Sequence, residues 1–294
     1  MTDNRLEKLL ECPGPLIADG ALGTELQAKG LPQGTPPELW NEARPDAVIA
    51  VHASYIEAGS ELLLTNSFGA NPVKLERMAL REKARDLSIA AARLCRQAAE
   101  HRPVLGSMGP MGALLAPLGG LSRQTAHEAF AVQAKALAEG GVDGIVLETF
   151  YDLQELELAL DAALEHTEVP IGCSMTFDSK GKSIMGNSVE DFVERIRAKA
   201  SWRVMFVGAN CSLGTEEMGH LCSRLCPLAD VPVWIKPNAG KPRLTAEGPT
   251  YPTGPDEFGR QAQNWVQMGA QVIGGCCGTN PAHIRHAAEA LGKR

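Results

Sequence analysis

The stretch GIVLETFYDLQELELALDAALEHTEVPIGCSMTF, residues 144–177, contains a complete strand–helix–strand unit. Its two ends, residues 144–150 and 170–177, are short apolar runs bounded by glycine or proline, as is typical of strands buried on both faces. Between them, residues 152–166 repeat apolar side chains at three- and four-residue spacing, which predicts an amphipathic helix. This order indicates a βαβ unit with parallel strands.

The same unit recurs along the whole chain. Six further apolar runs alternate with helical segments, at residues 15–21, 61–68, 104–110, 204–211, 231–238 and 271–277. Eight strands and about eight helices predict one (β/α)₈ TIM barrel, a single domain over residues 1–294. A doubly wound open sheet is the structural alternative, but no Gly-x-Gly-x-x-Gly follows the first strand to support a dinucleotide fold.

Composition excludes several classes of function. The chain is 44% hydrophobic and 21% charged, which is ordinary for a soluble globular protein. Its net charge of −7, with no block of like charges, argues against a nucleic-acid or anionic-membrane partner. The N-terminus lacks the apolar core of a signal peptide, and no apolar run reaches about 18 residues. We therefore expect a cytoplasmic protein with no membrane association.

Polar residues gather at the carboxyl ends of the predicted strands. In a barrel these ends open on one face, where active sites are built, so residues distant in sequence converge there. The residues at these ends are Asp19 and Gly20, Asn66 and Ser67, Glu148 and Thr149, Asn210 and Cys211, Asn238, and Cys276 and Cys277.

Three cysteines at these strand ends suggest a metal site. Adjacent Cys276 and Cys277 are poor disulfide partners, and Cys211 ends strand 6, about 10 Å from strand 8 across strand 7. Three thiolates suit zinc and leave one position of a tetrahedral shell open, as in catalytic sites. The alternative is that they are buried apolar thiols. We expect the other five cysteines to be core or surface thiols.

Seven motifs carry a family resemblance. They are DGALGTELQ (19–27), TNSFGAN (65–71), GSMGPMG (106–112), ETFYDLQEL (148–156), GANCSLG (208–214), PNAGKP (237–242) and GGCCGT (274–279). In this order they resemble the homocysteine S-methyltransferases, and most closely the homocysteine-binding barrel that opens cobalamin-dependent methionine synthase. The resemblance runs from about residue 15 to residue 290.

The resemblance implies that Cys211, Cys276 and Cys277 bind Zn²⁺ and that homocysteine sulfur takes the open position. A metal-bound thiol loses its proton at neutral pH, and only the thiolate is a good nucleophile. The zinc-bound homocysteine thiolate would then attack a methyl group, forming methionine.

The same resemblance suggests how the rest of homocysteine is held. Asp19 and Glu148 are the expected partners of its ammonium group, and the amides of Gly20 and Ala21 are expected to hold its carboxylate. Asn238 is expected to shape the metal site or occupy its open position when substrate is absent. Another thiol or a selenol remains possible as the acceptor.

The methyl donor stays open at this point. No Asp-x-His-x-x-Gly corrinoid motif occurs, so we expect methylcobalamin on a separate corrinoid protein. The alternatives are direct transfer from S-methylmethionine or betaine, and a non-catalytic zinc- or thiol-binding module. Lys236, two residues before Asn238, departs from the family pattern and raises a further alternative, a Schiff-base aldolase.

Overall fold

The computed structural model describes residues 4–199, 202–245 and 248–293. These residues contain ten strands and twelve α-helices. The strands are β1 (Leu16–Ile17), β2 (Leu63–Leu64), β3 (Val104–Met108), β4 (Gly144–Phe150), β5 (Ile171–Met175), β6 (Val204–Asn210), β7 (Val233–Lys236), β8 (Arg243–Thr245), β9 (Gly248–Thr250) and β10 (Val272–Ile273).

Eight parallel strands form the barrel that the sequence predicts. Their spatial order is β1-β10-β7-β6-β5-β4-β3-β2. The two ends of this sheet meet, because Ala18 and Leu62 form a parallel bridge and the Glu61 amide donates to Ile17 O at 2.7 Å. The (β/α)₈ prediction is confirmed.

The helices surround this sheet. They are α1 (Arg5–Leu10), α2 (Leu22–Ala28), α3 (Trp40–Ala43), α4 (Pro45–Ala58), α5 (Pro72–Glu76), α6 (Ala84–Ala99), α7 (Arg123–Glu139), α8 (Leu153–His166), α9 (Val189–Lys199), α10 (Thr215–Leu225), α11 (Pro255–Gln267) and α12 (Pro281–Ala290). Their apolar faces pack on the strands, burying most of the core between the two layers. None of the helices in the described part of the chain combines the length and apolar character needed to span a bilayer.

Large side chains fill the inside of the barrel. Phe206 and Trp234 stack with their ring centroids 4.9 Å apart. Glycine is required opposite them, since a Cβ at Gly172 would lie 1.9 Å from the Phe206 ring. The barrel is therefore a packed core, and any binding site has to lie at its ends.

Helix α1 closes one end of the barrel. Leu6 is buried in the inner cluster, and the Asn4 side chain donates to Asp143 O at 2.8 Å, just before β4 begins. This is the amino end of the strands, so the carboxyl end is the one left for the predicted site.

The β8–β9 hairpin is an addition that the sequence pattern does not predict. It is antiparallel, with Arg243 opposite Thr250, and it lies between β7 and α11. All three residues of β8 are exposed, and the Leu244 side chain is 87% exposed. A strand with no buried face has no apolar periodicity by which to recognise it.

Candidate metal and substrate site

Three cysteine side chains meet at the carboxyl end of the barrel strands. Cys211 directly follows β6, and Cys276 and Cys277 lie in the loop between β10 and α12. Their Sγ atoms all lie within 4.8 Å of one another, and those of Cys211 and Cys277 are 3.9 Å apart. The structure thus brings together three thiols that come from the ends of two different strands.

Main-chain hydrogen bonds position these cysteines against the end of β7. The Cys276 amide donates to Pro237 O at 2.7 Å, and the Cys211 amide donates to Lys236 O at 2.9 Å. The two loops that carry the thiols are therefore fastened to the same strand end, which lies between them in the sheet.

Backbone strain marks two of the strand ends. Cys211 and Ser212 have φ values of 60° and 56°, and Thr149 after Glu148 has a φ of 64°. The left-handed region costs a non-glycine residue on the order of 1 kcal/mol, and such strain concentrates at functional sites. The Asn210 side chain maintains this arrangement, because its Oδ1 accepts from the Thr149 amide at 2.9 Å and its Nδ2 donates to Thr149 Oγ1 at 2.7 Å.

The donor set fits a zinc ion. Sulfur ligands of tetrahedral zinc lie about 3.8 Å apart, given a Zn–S distance of about 2.3 Å, and the sulfur atoms of Cys211 and Cys277 are already 3.9 Å apart. Hydrogen bonds from Cys211 and then Cys276 lower the pKa of the Cys277 thiol, whereas the pKa values of the Cys211 and Cys276 thiols are raised, so a first negative charge falls most easily on Cys277. Three thiolates leave one of the four positions of zinc for a further ligand.

A buried ion pair lies beside the cysteine loop. Lys236 Nζ and Asp19 Oδ1 are 2.9 Å apart, with side chains 4% and 0% exposed, and Asp19 Oδ2 accepts from the Leu64 amide at 2.8 Å. The Lys236 side chain packs closely on Gly274, because a Cβ at that position would lie 3.0 Å from Lys236 Cγ. Both oxygens of Asp19, which the sequence suggests as an ammonium partner, are therefore hydrogen bonded within the protein.

The pairing of Lys236 argues against its use as an amine nucleophile. Burial disfavours its charge, but the carboxylates of Asp19 and Glu148 outweigh that effect and raise the pKa of Lys236. A Schiff-base lysine needs the opposite shift, since only the neutral amine attacks a carbonyl. The geometry gives the aldolase alternative no support.

Glu148 offers a carboxylate oxygen to a ligand. The residue is 8% exposed, and Ser107 Oγ donates to its Oε1. Its Oε2 accepts no hydrogen bond from the residues that the structure describes. Burial raises the pKa of Glu148, although the positive charge of Lys236 opposes the rise.

Gly20 and Ala21 form the turn between β1 and α2. The Ala21 amide donates to Thr279 Oγ1 at 3.1 Å, and the Tyr55 hydroxyl donates to Ala21 O at 2.9 Å. A Cβ at Gly20 would lie 2.7 Å from the Tyr55 hydroxyl oxygen, so this close packing requires glycine. The turn is thereby held against the segment that follows the two adjacent cysteines.

Asn238 carries an unpaired buried oxygen. The residue is 3% exposed, and its main-chain amide donates to Leu213 O at 3.1 Å. Its Oδ1 is buried and has no partner in the described part of the chain. Because buried polar atoms nearly always have partners, this oxygen marks a place that a ligand or ion would complete.

Sequence reasoning missed Tyr251 and Thr279. Tyr251 follows β9, and its ring packs against Gly278, the residue after Cys277. Thr279 Oγ1 joins the two loops by accepting from Ala21 and donating to Cys276 O at 2.7 Å. Proline and glycine near Tyr251 indicate only a loop, which does not single out the tyrosine.

A cavity of about 440 Å³ opens next to the cysteine loop. One of its lining atoms, Thr24 Oγ1, is buried without a partner in the described residues. The cavity lies between α2 and the β8–β9 hairpin, against the segment that follows Cys277. Its lining residues are Thr24, Glu25, Gln27, Leu31, Gln33, Pro249, Tyr251, Gly278 and Asn280.

A second group of potential metal ligands lies on the outer helices α7 and α8. It consists of His127, Glu165 and His166, and the Nε2 of His127 is 3.2 Å from Glu165 Oε2. The Glu165 side chain is 59% exposed. The group is separate from the cysteine site.

Residues 16–291 match the sequence profile of the homocysteine S-methyltransferase family. The chain belongs to this family. The resemblance inferred from the seven motifs is confirmed.

Two relatives are methionine synthases from mycobacteria. The enzyme of Mycobacterium tuberculosis (strain ATCC 25618 / H37Rv) is 34% identical over 298 residues, which cover 94% of this chain and 24% of the relative. That of Mycobacterium leprae (strain TN) is 34% identical over 299 residues, 95% of this chain and 24% of the relative. The chain thus spans about a quarter of the length of these relatives.

A solved structure of similar length shares the fold. The homocysteine methyltransferase MmuM from Escherichia coli, in its metallated form, superposes with a TM-score of 0.80 at 25% identity. The match covers 96% of this chain and 98% of MmuM. The oxidised form of MmuM gives the same TM-score.

Proposed function

We propose that this protein is a zinc-dependent homocysteine S-methyltransferase that forms methionine, with residues 1–294 acting as one homocysteine-binding domain. The observation that carries the proposal is the convergence of the Sγ atoms of Cys211, Cys276 and Cys277 within 4.8 Å of one another at the open end of the barrel. Membership of the family and the metallated state of MmuM support the same assignment.

The three cysteines are the proposed zinc ligands. When bound, zinc supplies a Lewis acid that takes the place of the proton on homocysteine sulfur, so that a thiolate is available to attack a methyl carbon at neutral pH. The chain itself contributes negative charge through its thiolates, which keeps electron density on the acceptor sulfur. The unpaired Oδ1 of Asn238 is the proposed occupant of the open position when homocysteine is absent.

The amino-acid end of homocysteine is assigned to the other residues of the site. Glu148 Oε2 is the proposed acceptor for the ammonium group, and the amides of Gly20 and Ala21 are the proposed donors to the carboxylate. Ala21 would have to give up its bond to Thr279 Oγ1. Asp19 is proposed to assist electrostatically, from within its ion pair with Lys236.

Changing Glu148 to Gln should raise the KM for homocysteine about 10- to 100-fold with little change in kcat. A hydrogen bond to a charged group contributes about 1.5–3 kcal/mol, and its loss affects substrate and transition state alike. Steady-state kinetics with homocysteine and with 4-mercaptobutyrate, which lacks the amino group, test this. A KM for 4-mercaptobutyrate that rises equally would show that Glu148 does not bind the ammonium.

The pKa of Glu148 gives homocysteine binding a pH dependence. Because burial raises that pKa, the carboxylate takes up its proton at a higher pH than an ordinary glutamate, whose pKa is about 4.3. The contribution of Glu148 to homocysteine affinity should therefore be lost, as the pH is lowered, at a higher pH than an ordinary glutamate would give. Titration calorimetry of wild-type and Glu148→Gln proteins between pH 5 and 8 measures this. Both proteins should lose affinity as the acceptor thiol becomes harder to deprotonate, and the wild type should show the steeper decline.

The proposed methyl donor is methylcobalamin carried by a separate corrinoid protein. The sequence motifs resemble the barrel of cobalamin-dependent methionine synthase, and both mycobacterial relatives are methionine synthases. The 294 residues contain no Asp-x-His-x-x-Gly corrinoid motif of their own. Direct transfer from S-methylmethionine or betaine is the second candidate, because MmuM has a similar length and a cavity of about 440 Å³ lies against Gly278, the residue after Cys277.

A donor panel separates these candidates. Zinc-loaded protein is incubated with homocysteine and, separately, methylcobalamin, S-methylmethionine or betaine, and methionine is quantified against a Cys276→Ala control. We expect methionine from methylcobalamin alone. Methionine from an onium donor would overturn the corrinoid assignment, and binding of zinc and homocysteine without turnover from any donor would indicate a non-catalytic module.

A further inference from the structure

Three side chains that can bind a metal ion meet on the outside of the barrel, where two neighbouring helices pack together. His127 lies in the second turn of α7, and Glu165 and His166 are the last two residues of α8. One ligand atom from each of the three lies within 4.8 Å of the other two. His127 Nε2 and Glu165 Oε2 are 3.2 Å apart, and the centroids of the two imidazole rings are 5.9 Å apart.

These separations fit a single bound cation. Nitrogen and oxygen ligands of tetrahedral zinc lie about 3.3–3.4 Å apart, given metal–ligand distances of about 2.0–2.1 Å. The distance between His127 and Glu165 is close to this value, and the remaining ligand distances, none above 4.8 Å, need only small side-chain rotations to reach it. Two imidazoles and one carboxylate are also donors that zinc and its neighbours among the first-row metals bind.

The backbone that carries the three side chains is held in place. Ala126, directly before His127, and Ala163, one turn before His166, are fully buried. Just beyond α8 the Thr167 hydroxyl donates to Ala163 O at 2.8 Å, which fixes the end of that helix. Binding a metal ion would therefore order side chains alone, and a site that is largely preorganised loses little entropy on binding.

Nothing else in the described part of the chain engages these three side chains. The polar side-chain contact that they make there is the one between His127 and Glu165. The group is open to solvent, since the Glu165 side chain is 59% exposed and that of His127 26%. It also lies at the carboxyl end of α8, where the unpaired carbonyl groups of a helix favour a nearby cation. A dissolved metal ion can reach the group and is favoured there.

We propose that His127, Glu165 and His166 form a second metal site, which takes Zn²⁺ or a similar first-row divalent cation and joins α7 to α8. Water completes the ligand shell on the exposed side. The site contains no thiolate and carries less negative charge than three cysteines, so it binds zinc more weakly and a weak chelator empties it first. The inference is independent of the proposed methyl transfer.

Calorimetric titration of metal-free protein with Zn²⁺, in the absence of a chelator, tests the proposal. Wild type should bind two zinc ions per chain in a tighter and a weaker step. His127→Ala and His166→Ala should each weaken the weaker step by at least about 10-fold, because even the loss of a hydrogen bond to a metal ligand has an effect of that size. Cys276→Ala should remove the tighter step and keep the weaker one.

His101→Ala is the matched control. It removes an 82% exposed histidine that lies 3.9 Å from the Glu100 carboxylate but belongs to no group of three ligands among the described residues. This variant should show both steps unchanged.

Co²⁺ in place of Zn²⁺ identifies the donor atoms of the weaker step, which should add no sulfur-to-cobalt charge-transfer band. A weaker step that is missing from wild type, does not saturate, survives both histidine variants, falls equally in His101→Ala or shows the sulfur band would overturn the second site. Loss of the tighter step alone from wild type would instead refute the proposed function.

Discussion

Cys276→Ala will abolish stoichiometric zinc binding and with it methionine formation from homocysteine. Protein zinc sites built on such ligands bind with about 10–16 kcal/mol. Removing one of three protein ligands should therefore weaken binding by several kcal/mol, on the order of 10³-fold. Without the metal, homocysteine is mostly a protonated thiol at neutral pH and a poor nucleophile.

The measurement pairs metal content with turnover. Zinc per chain is determined after dialysis against a weak chelator, and methionine is quantified from the same samples with the active donor. Cys12→Ala is the control, because Cys12 is exposed and far from the cluster in sequence. Full zinc and full activity in Cys276→Ala would refute a cysteine-ligated catalytic metal, while zinc loss without activity loss would make the metal structural.

The fold was predictable because its strands are buried on both faces. Apolar runs such as residues 144–150 and 204–211 stand out from the helical segments beside them, and parallel strands need such helices to connect them. The lengths of strands were less predictable. The first apolar run covers residues 15–21, but β1 ends at Ile17, and Asp19 beyond it pairs with Lys236.

The convergence of the cysteines also followed from topology. Once Cys211 and Cys276 are placed after strands that flank β7, the barrel geometry brings them to one face. The pairing of Asp19 with Lys236 could not be inferred in this way, since the two residues are 217 positions apart and meet across β10. Tyr251 could not be predicted either, because it follows an inserted hairpin that has no counterpart in the repeating βα pattern.

Lys236→Met will lower the free energy of unfolding of the protein by about 3–5 kcal/mol. The change leaves the Asp19 carboxylate buried at 0% exposure without its cation, and an uncompensated buried charge is among the most unfavourable consequences of a single substitution. Methionine keeps nearly the length and volume of the lysine stem, so the lost free energy of unfolding comes from the missing charge and not from poorer packing. Urea unfolding followed by circular dichroism measures it.

Two further variants show whether the ion pair is responsible. Lys199→Met removes a cation from a partly exposed pair with Asp161, whose side chain is 36% exposed. Lys199 also lies 4.0 Å from Glu157, which keeps its pair with Arg195, so the change in stability should be no more than about 1 kcal/mol. The double variant Asp19→Asn/Lys236→Met removes both buried charges and should recover much of the lost stability. A Lys236→Met protein as stable as Lys199→Met would contradict the buried pair.

The double variant also separates stability from function. If the pair only supports the fold, restoring stability should restore the wild-type KM for homocysteine. If Asp19 assists in holding the substrate ammonium, as proposed, the KM should stay raised in a protein that folds well. A raised KM for homocysteine with unchanged zinc content would show that the double substitution disturbs the substrate pocket. A loss of zinc would show instead that the double substitution disturbs the neighbouring loop, where Gly274 lies against Lys236.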